Sequence, residues 1–210
     1  MAEPSPKKPV KHAERKAFKY PAEDEPFVRR LGSAMLAQPG AAETATIKTS
    51  LGTITVKLDR AHAPATVDNF IRYAREGHFN GTMVYRVVPH FVIQAGSIDP
   101  KGKARPAHDP IPLESGQSNL RGTIAMAREP KVAASATAEF FINLKDNSAS
   151  LDPKPGDPPH TTGFAVFGKV IDGMSVVNKI AKTPLKGGVG PFPANDPKTA
   201  VVIERVTIAP

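Results

Sequence analysis

Met83-Val-Tyr-Arg-Val-Val-Pro-His-Phe-Val-Ile-Gln-Ala-Gly96 holds two short runs rich in β-branched residues, Met83–Val88 and Phe91–Ala95. They flank Pro89-His90 and read as two extended segments joined through a tight corner. Alternation along a strand places Tyr85 and Val87 on one face and Val84, Arg86 and Val88 on the other. Both faces are largely apolar, and Arg86 is the one charge among them. An arginine at an exposed sheet edge would account for it. With Phe91 and Gln94 at fixed short offsets, the segment also makes an apolar surface carrying one cation and one amide. Such a surface suits a site that grips something apolar and hydrogen-bonds one carbonyl.

Upstream, Thr46–Thr49 and Thr53–Leu58 form an expected hairpin around Ser50-Leu51-Gly52, with Ile54, Val56 and Leu58 alternating against Thr53, Thr55 and Lys57. A helix is expected from Pro64, a residue suited to the first helical position. Val67, Phe70, Ile71 and Ala74 form its buried stripe and Gly77 its stop. Downstream, Gly122–Ala127, Phe140–Leu144, Phe164–Ile171 and Val201–Ile208 read as strands, and Met174–Lys182 as a second helix. Residues 97–121, 128–139, 145–163 and 183–198 read as long loops. Seven or eight short strands with only two helices favour a mainly β, antiparallel barrel over a βαβ sheet.

The 210 residues, 40% hydrophobic, are enough for one sizeable core. Residues 1–43 differ from the rest. Eight basic and five acidic side chains crowd residues 1–40, prolines recur at 4, 6, 9, 21, 26 and 39, and no period is sustained. We read a mostly disordered extension, with a short helix after Pro26, ahead of one domain over 44–210. An RNA- or partner-binding arm is the functional alternative, but aromatic interleaving is missing. The formal charge of +8 bears on solubility and nonspecific association with anions. No apolar run approaches the roughly 18 residues that span a bilayer. Met1–Lys8 lacks the apolar core of a secretory signal, so the cytoplasm is the expected compartment.

Absent chemistry narrows the reading. With no Cys there is no disulfide, thiolate metal site or cysteine nucleophile. The six histidines, at 12, 62, 78, 90, 108 and 160, include no i,i+3 or i,i+4 pair suited to a metal cage. Gly96–Ala104 misses the phosphate-loop pattern in its spacing and in its final residue, and Gly187–Pro191 is a turn. No nucleophile elbow is present. Covalent, metal and nucleotide chemistry all lack their parts, and no cofactor is expected.

The sequence resembles the cyclophilin-type peptidyl-prolyl isomerases, of the compact bacterial kind. Five blocks carry the likeness in the family's order: Pro64-Ala-Thr-Val-Asp-Asn-Phe70, Tyr85-Arg-Val-Val-Pro-His-Phe-Val-Ile-Gln-Ala-Gly96, Leu120-Arg-Gly-Thr-Ile-Ala-Met-Ala-Arg128, Glu139-Phe-Phe-Ile-Asn143 and Phe164-Ala-Val-Phe-Gly-Lys169. The resemblance implies an eight-stranded antiparallel closed barrel capped by two helices, with a substrate groove on its outer wall. It implies acceleration of X–Pro bond rotation without covalent chemistry. The implied partners are proline-containing peptides and flexible protein segments, bound by a monomer without metal, membrane or nucleic acid.

By the same resemblance Arg86 is the catalytic arginine, Gln94 the amide that positions it, and Phe91 a further catalytic-site residue. Phe91, Val92, Phe141 and Leu151 match the hydrophobic pocket for the substrate proline, and Ala127 and Arg128 the stretch whose backbone meets the residue preceding that proline, with Met126 beside them as a further substrate-binding residue. Phe164 stands where eukaryotic members have a pocket His. Two departures matter. Glu139 replaces a common Gln and could either hold Arg86 in place or compete with substrate for it. Ser150 occupies the position of the Trp that lines the site for the inhibitor cyclosporin. A non-catalytic proline-peptide binding module or holdase, with Arg86 held away by Glu139, stays open as the alternative.

Overall fold

The structure, a computed structural model, describes residues 43–129, 132–154, 156, 162–183, 185–189, 192–195 and 200–210, without the side chains of 185–189 and 192–195. The expected extension, apart from Glu43, and its short helix lie outside the described residues.

Eleven strands and three helices are described: β1 (Thr44–Thr49), β2 (Gly52–Leu58), α1 (Pro64–Arg75), β3 (Thr82–Met83), β4 (Arg86–Val88), β5 (Val92–Ala95), β6 (Thr123–Met126), β7 (Phe140–Asn143), α2 (Ser148–Leu151), β8 (Val166–Asp172), α3 (Met174–Ile180), β9 (Leu185–Val189), β10 (Phe192–Asn195) and β11 (Val202–Ala209). Nine of the strands form one antiparallel sheet in the order β3-β11-β1-β2-β8-β6-β7-β5-β4. Its two edge strands, β3 and β4, are separated in sequence only by Val84-Tyr85. The sheet therefore curls until its ends meet on one continuous segment of chain. Counting that interrupted segment once gives the expected eight strands, but the closure is covalent at this point.

The interruption resets the strand's alternation. Val84 and Val87 both enter the central core, three positions apart, so the expected pairing of Val84 with Arg86 on one face does not hold. A second difference lies in 183–198, expected as loop, where β9 and β10 pair as a separate two-stranded ladder. A third is α2, a single turn inside the expected 145–163 loop, too short to leave a helical period in the sequence.

Elsewhere local chemistry and fold agree. The β1–β2 hairpin closes at Thr49↔Gly52, where the glycine's φ of +133° lies outside the range that side chains favour. Helix α1 starts at Pro64 and buries Val67, Phe70, Ile71 and Ala74. Phe70 stacks on Phe79 at 5.1 Å between ring centroids and meets the rings of Phe140 and Phe167 at 5.6 and 5.1 Å. Full burial of one such side chain contributes roughly 2–3 kcal/mol, which seats α1 against the barrel. The amides at the start of α1, which have no partner within the helix, are capped from a distance. Glu114 accepts from Ala65 N at 3.1 Å, Thr66 N at 2.8 Å and Thr66 Oγ1 at 2.7 Å, tying the 97–121 loop to the helix.

Candidate active site

Strand register assembles the site. Arg86 lies opposite Gln94, Gln94 opposite Phe141, Phe141 opposite Ala125, and Ala125 opposite Val166. Directly paired residues share a face of the sheet, so these five make one row across β4, β5, β7, β6 and β8. Their alternating neighbours Ile93, Phe140, Ile142 and Ile124 fill the central core. On the outer face, Val92, Ala125, Phe141, Leu151 and Val166 form a second, smaller cluster, with Phe91, Ala127 and Phe164 packed partly buried against it.

Above that cluster lies a groove of about 220 Å³ lined by Arg86, Phe91, Val92, Gln94, Ala127, Arg128, Phe141, Leu151 and Phe164. Nine of the eleven side chains expected at the site thus converge on one concave surface. Met126 and Glu139 do not. Met126 is 1% exposed and belongs to the central core, because it alternates with Ala125 and Ala127 and points inward. Its side chain therefore does not line the groove. The Glu139 carboxylate turns away from the groove, accepting through Oε1 from Ser97 N at 2.8 Å and from Ser97 Oγ. No ion pair joins it to Arg86 among the described residues.

Arg86 Nη1 donates to Gln94 Oε1 at 2.9 Å, and Gln94 Nε2 donates to the Tyr85 hydroxyl. Burial lowers the Arg86 pKa, while the neighbouring Tyr85 acts the other way. A guanidinium starts so high that it stays charged at any working pH. Burial, then the nearby Glu139 carboxylate, pushes the Tyr85 phenol well above its ordinary range.

The far wall is a stack. Arg128 lies over the Phe164 ring at 4.7 Å, and Phe164 meets Phe141 edge-on at 5.5 Å. Arg128 is pinned by donating from Nε to Gly163 O at 2.8 Å and from Nη2 to Thr162 Oγ1 at 2.7 Å. It is therefore wall rather than free cation, and burial lowers its pKa.

The floor rests on three buried asparagines that the sequence reading missed. Asn143 Nδ2 donates to Thr123 Oγ1 at 2.9 Å and Asn119 Oδ1 at 3.2 Å, and its Oδ1 accepts from Asn147 Nδ2 at 2.7 Å. Asn147 Nδ2 also reaches Phe91 O at 2.9 Å, while Asn119 N binds Asp152 Oδ1 at 2.8 Å. This network fixes Phe91 and the α2 turn that presents Leu151. The amide of Asn143, closing the apolar run Phe140–Ile142, was the available signal. Tyr85 and Ser97 were also overlooked as site-supporting residues. No group of three His, Asp or Glu among the described residues could hold a metal ion.

Residues 44–208 match the model of the family described as cyclophilin type peptidyl-prolyl cis-trans isomerase. The chain belongs to that family of isomerase enzymes. Peptidyl-prolyl cis-trans isomerase A of Dickeya dadantii is 42% identical over 164 residues, covering 77% of this chain and 82% of that protein. Peptidyl-prolyl cis-trans isomerase B of Escherichia coli is 42% identical over 166 residues, covering 78% and 98%. A crystal structure of a cyclophilin type isomerase from Cryptosporidium parvum, obtained in the presence of the dipeptide Ala-Pro, has TM-score 0.63 at 21% identity. It covers 80% of this chain and 99% of that one, a likeness of fold.

Proposed function

We propose that the chain accelerates cis–trans rotation of X–Pro bonds in flexible protein segments, with the proline ring on the Phe91–Phe141–Leu151 surface and Arg86 as donor to the twisting amide. One observation carries this reading: a half-buried guanidinium, aimed by Gln94, stands at the rim of an apolar pocket of about 220 Å³.

The reaction needs little else. X–Pro rotation crosses a barrier of ~18–20 kcal/mol because amide resonance is broken, and uncatalysed exchange takes tens to hundreds of seconds. Five decades of acceleration correspond to about 7 kcal/mol. In the twisted state the proline nitrogen becomes pyramidal and gains a lone pair. Arg86 can donate to that lone pair or to the rotating carbonyl, and it cannot lose its proton in doing so. One charge-assisted hydrogen bond nets only about 1.5–3 kcal/mol in ordinary surroundings. The rest falls to a preorganised, water-poor pocket that holds the ring while the preceding carbonyl turns. Apolar burial of the ring adds to the rate only where the twisted geometry fits better than the planar one.

The alternative of a silent binding module required Glu139 to hold Arg86 away from substrate. Its Oε1 is engaged by Ser97 and not by Arg86, which favours catalysis instead. The deciding experiment is exchange NMR on a short Xaa-Pro peptide with and without the protein. Line-broadening of the cis and trans resonances supports the reading; binding without broadening leaves only the module.

A further inference from the structure

Gln94 can serve Arg86 only with its oxygen forward, since a guanidinium has donors and no acceptor. The amide nitrogen must then face the opposite way and find an acceptor. It finds the Tyr85 hydroxyl. A phenol oxygen that accepts there has one hydrogen left to place, and burial, then the charge of Glu139, keeps that proton on the phenol. Glu139 Oε2 is buried with no hydrogen-bond partner among the described residues, while Oε1 is fixed by Ser97. Gly96 makes that approach possible. With φ at +153°, it would place a Cβ 2.6 Å from the Glu139 Cα, so only glycine lets the two strands close there.

We propose that Tyr85 and Glu139 are positioning residues of the isomerase, acting on Arg86 through Gln94. The two donations in the structure point one way, from the Arg86 cation to the Gln94 amide and from that amide to the Tyr85 hydroxyl; the remaining phenol hydrogen goes, in this proposal, to the buried, unpartnered Glu139 Oε2. The direction locks the amide against flipping, and a flipped amide would set its NH₂ against the guanidinium. Donors chained in one direction polarise one another. The carboxylate thus steadies the arginine from a distance. This inference rests on Arg86 being the donor of the proposed reaction.

The test is a double-mutant cycle on the full chain with a short Xaa-Pro peptide. Tyr85→Phe removes one hydroxyl and keeps the ring. It should lower kcat about ten-fold with KM little changed, and should cost nothing further in a Gln94→Ala background. Turnover within about two-fold of wild type, or an equal loss in both backgrounds, overturns the proposal. Glu139→Gln removes only the charge, and the ¹³Cζ resonance of Tyr85 reports it. A shifted resonance with reduced kcat supports the series; unchanged resonance and unchanged kcat remove Glu139 from it. Arg86→Ala separates the two levels. Full turnover in that variant sinks the reaction reading itself, whereas an inactive Arg86→Ala beside a normal Tyr85→Phe sinks this inference alone.

Discussion

Arg86 and Gln94 face each other across β4 and β5 as a directly opposed antiparallel pair, joined by a hydrogen bond of 2.9 Å. The guanidinium orientation is therefore set by strand register and not by a mobile loop. Gln94 is 8% exposed, and its amide reaches the arginine from within the sheet. A residue that must meet a twisting bond at one angle gains from such a mount.

Lysine at position 86 keeps the charge but loses the planar fork. Arg86→Lys should lower kcat/KM about 100-fold, comparable to removal of a preorganised donor. Peptide titration should show affinity changed by only a few-fold, since the apolar floor is untouched.

Phe141 is 4% exposed and sits at the crossing of the polar row and the apolar floor. Phe141→Ala should raise KM strongly, because both Phe164 and Leu151 lose their contact. It should also destabilise the fold by about 3 kcal/mol, at the lower end for a large aromatic truncation because one side opens to the groove. Urea unfolding and peptide kinetics check the two effects separately.

The asparagine network makes a sharper stability prediction. Asn143→Ala leaves the buried Asn119 Oδ1 without a partner and removes one of two bonds from Asn147 Nδ2 and from Thr123 Oγ1. Each buried polar group left without a partner costs about 1–3 kcal/mol. A loss of about 3 kcal/mol in urea unfolding, with a raised KM as Phe91 and Leu151 loosen, is the expected result.

Stability and turnover should respond differently to pH. Burial, then the charges of Arg105 and His108, hold the His78 imidazole below its ordinary 6.5, and its buried Nε2 makes no hydrogen bond. A group with a depressed folded pKa contributes stability that is complete above its unfolded pKa and lost as pH falls toward the folded one. Glu76, lowered first by its hydrogen bond to His108 and then by Arg72, continues the same trend below 4.5. The urea midpoint should stay level from pH 8 to 7 and decline from about 6.5 downward. His78→Gln should flatten the upper part of that decline. Turnover should stay flat from about pH 6 to 9, since Arg86 keeps its proton throughout.

Much of this was legible before any coordinates. The hairpin, α1, the last helix and the order of strands follow from alternation, a proline at a helix start and glycine stops. Nine groove residues follow from the resemblance. The Met126 side chain lies inward, as its alternation with Ala125 and Ala127 requires. Val84 could not be placed, because the break at Tyr85 that resets the strand comes from sheet closure, a tertiary event. The Asn119–Asn143–Asn147 network joins three segments, and such a junction has no sequence period. Glu139 was identified as the departure that mattered, but its partner Ser97 sits more than forty residues away. Only the β5–β7 register brings them together.

The most direct measurement is exchange NMR on a short Xaa-Pro peptide with wild type and Arg86→Ala at equal occupancy. Wild type should broaden the cis and trans resonances strongly. Arg86→Ala should bind the peptide with similar affinity and reduce the exchange rate at least about 100-fold. Near wild-type exchange in the Arg86→Ala protein would contradict a guanidinium at the centre of the reaction.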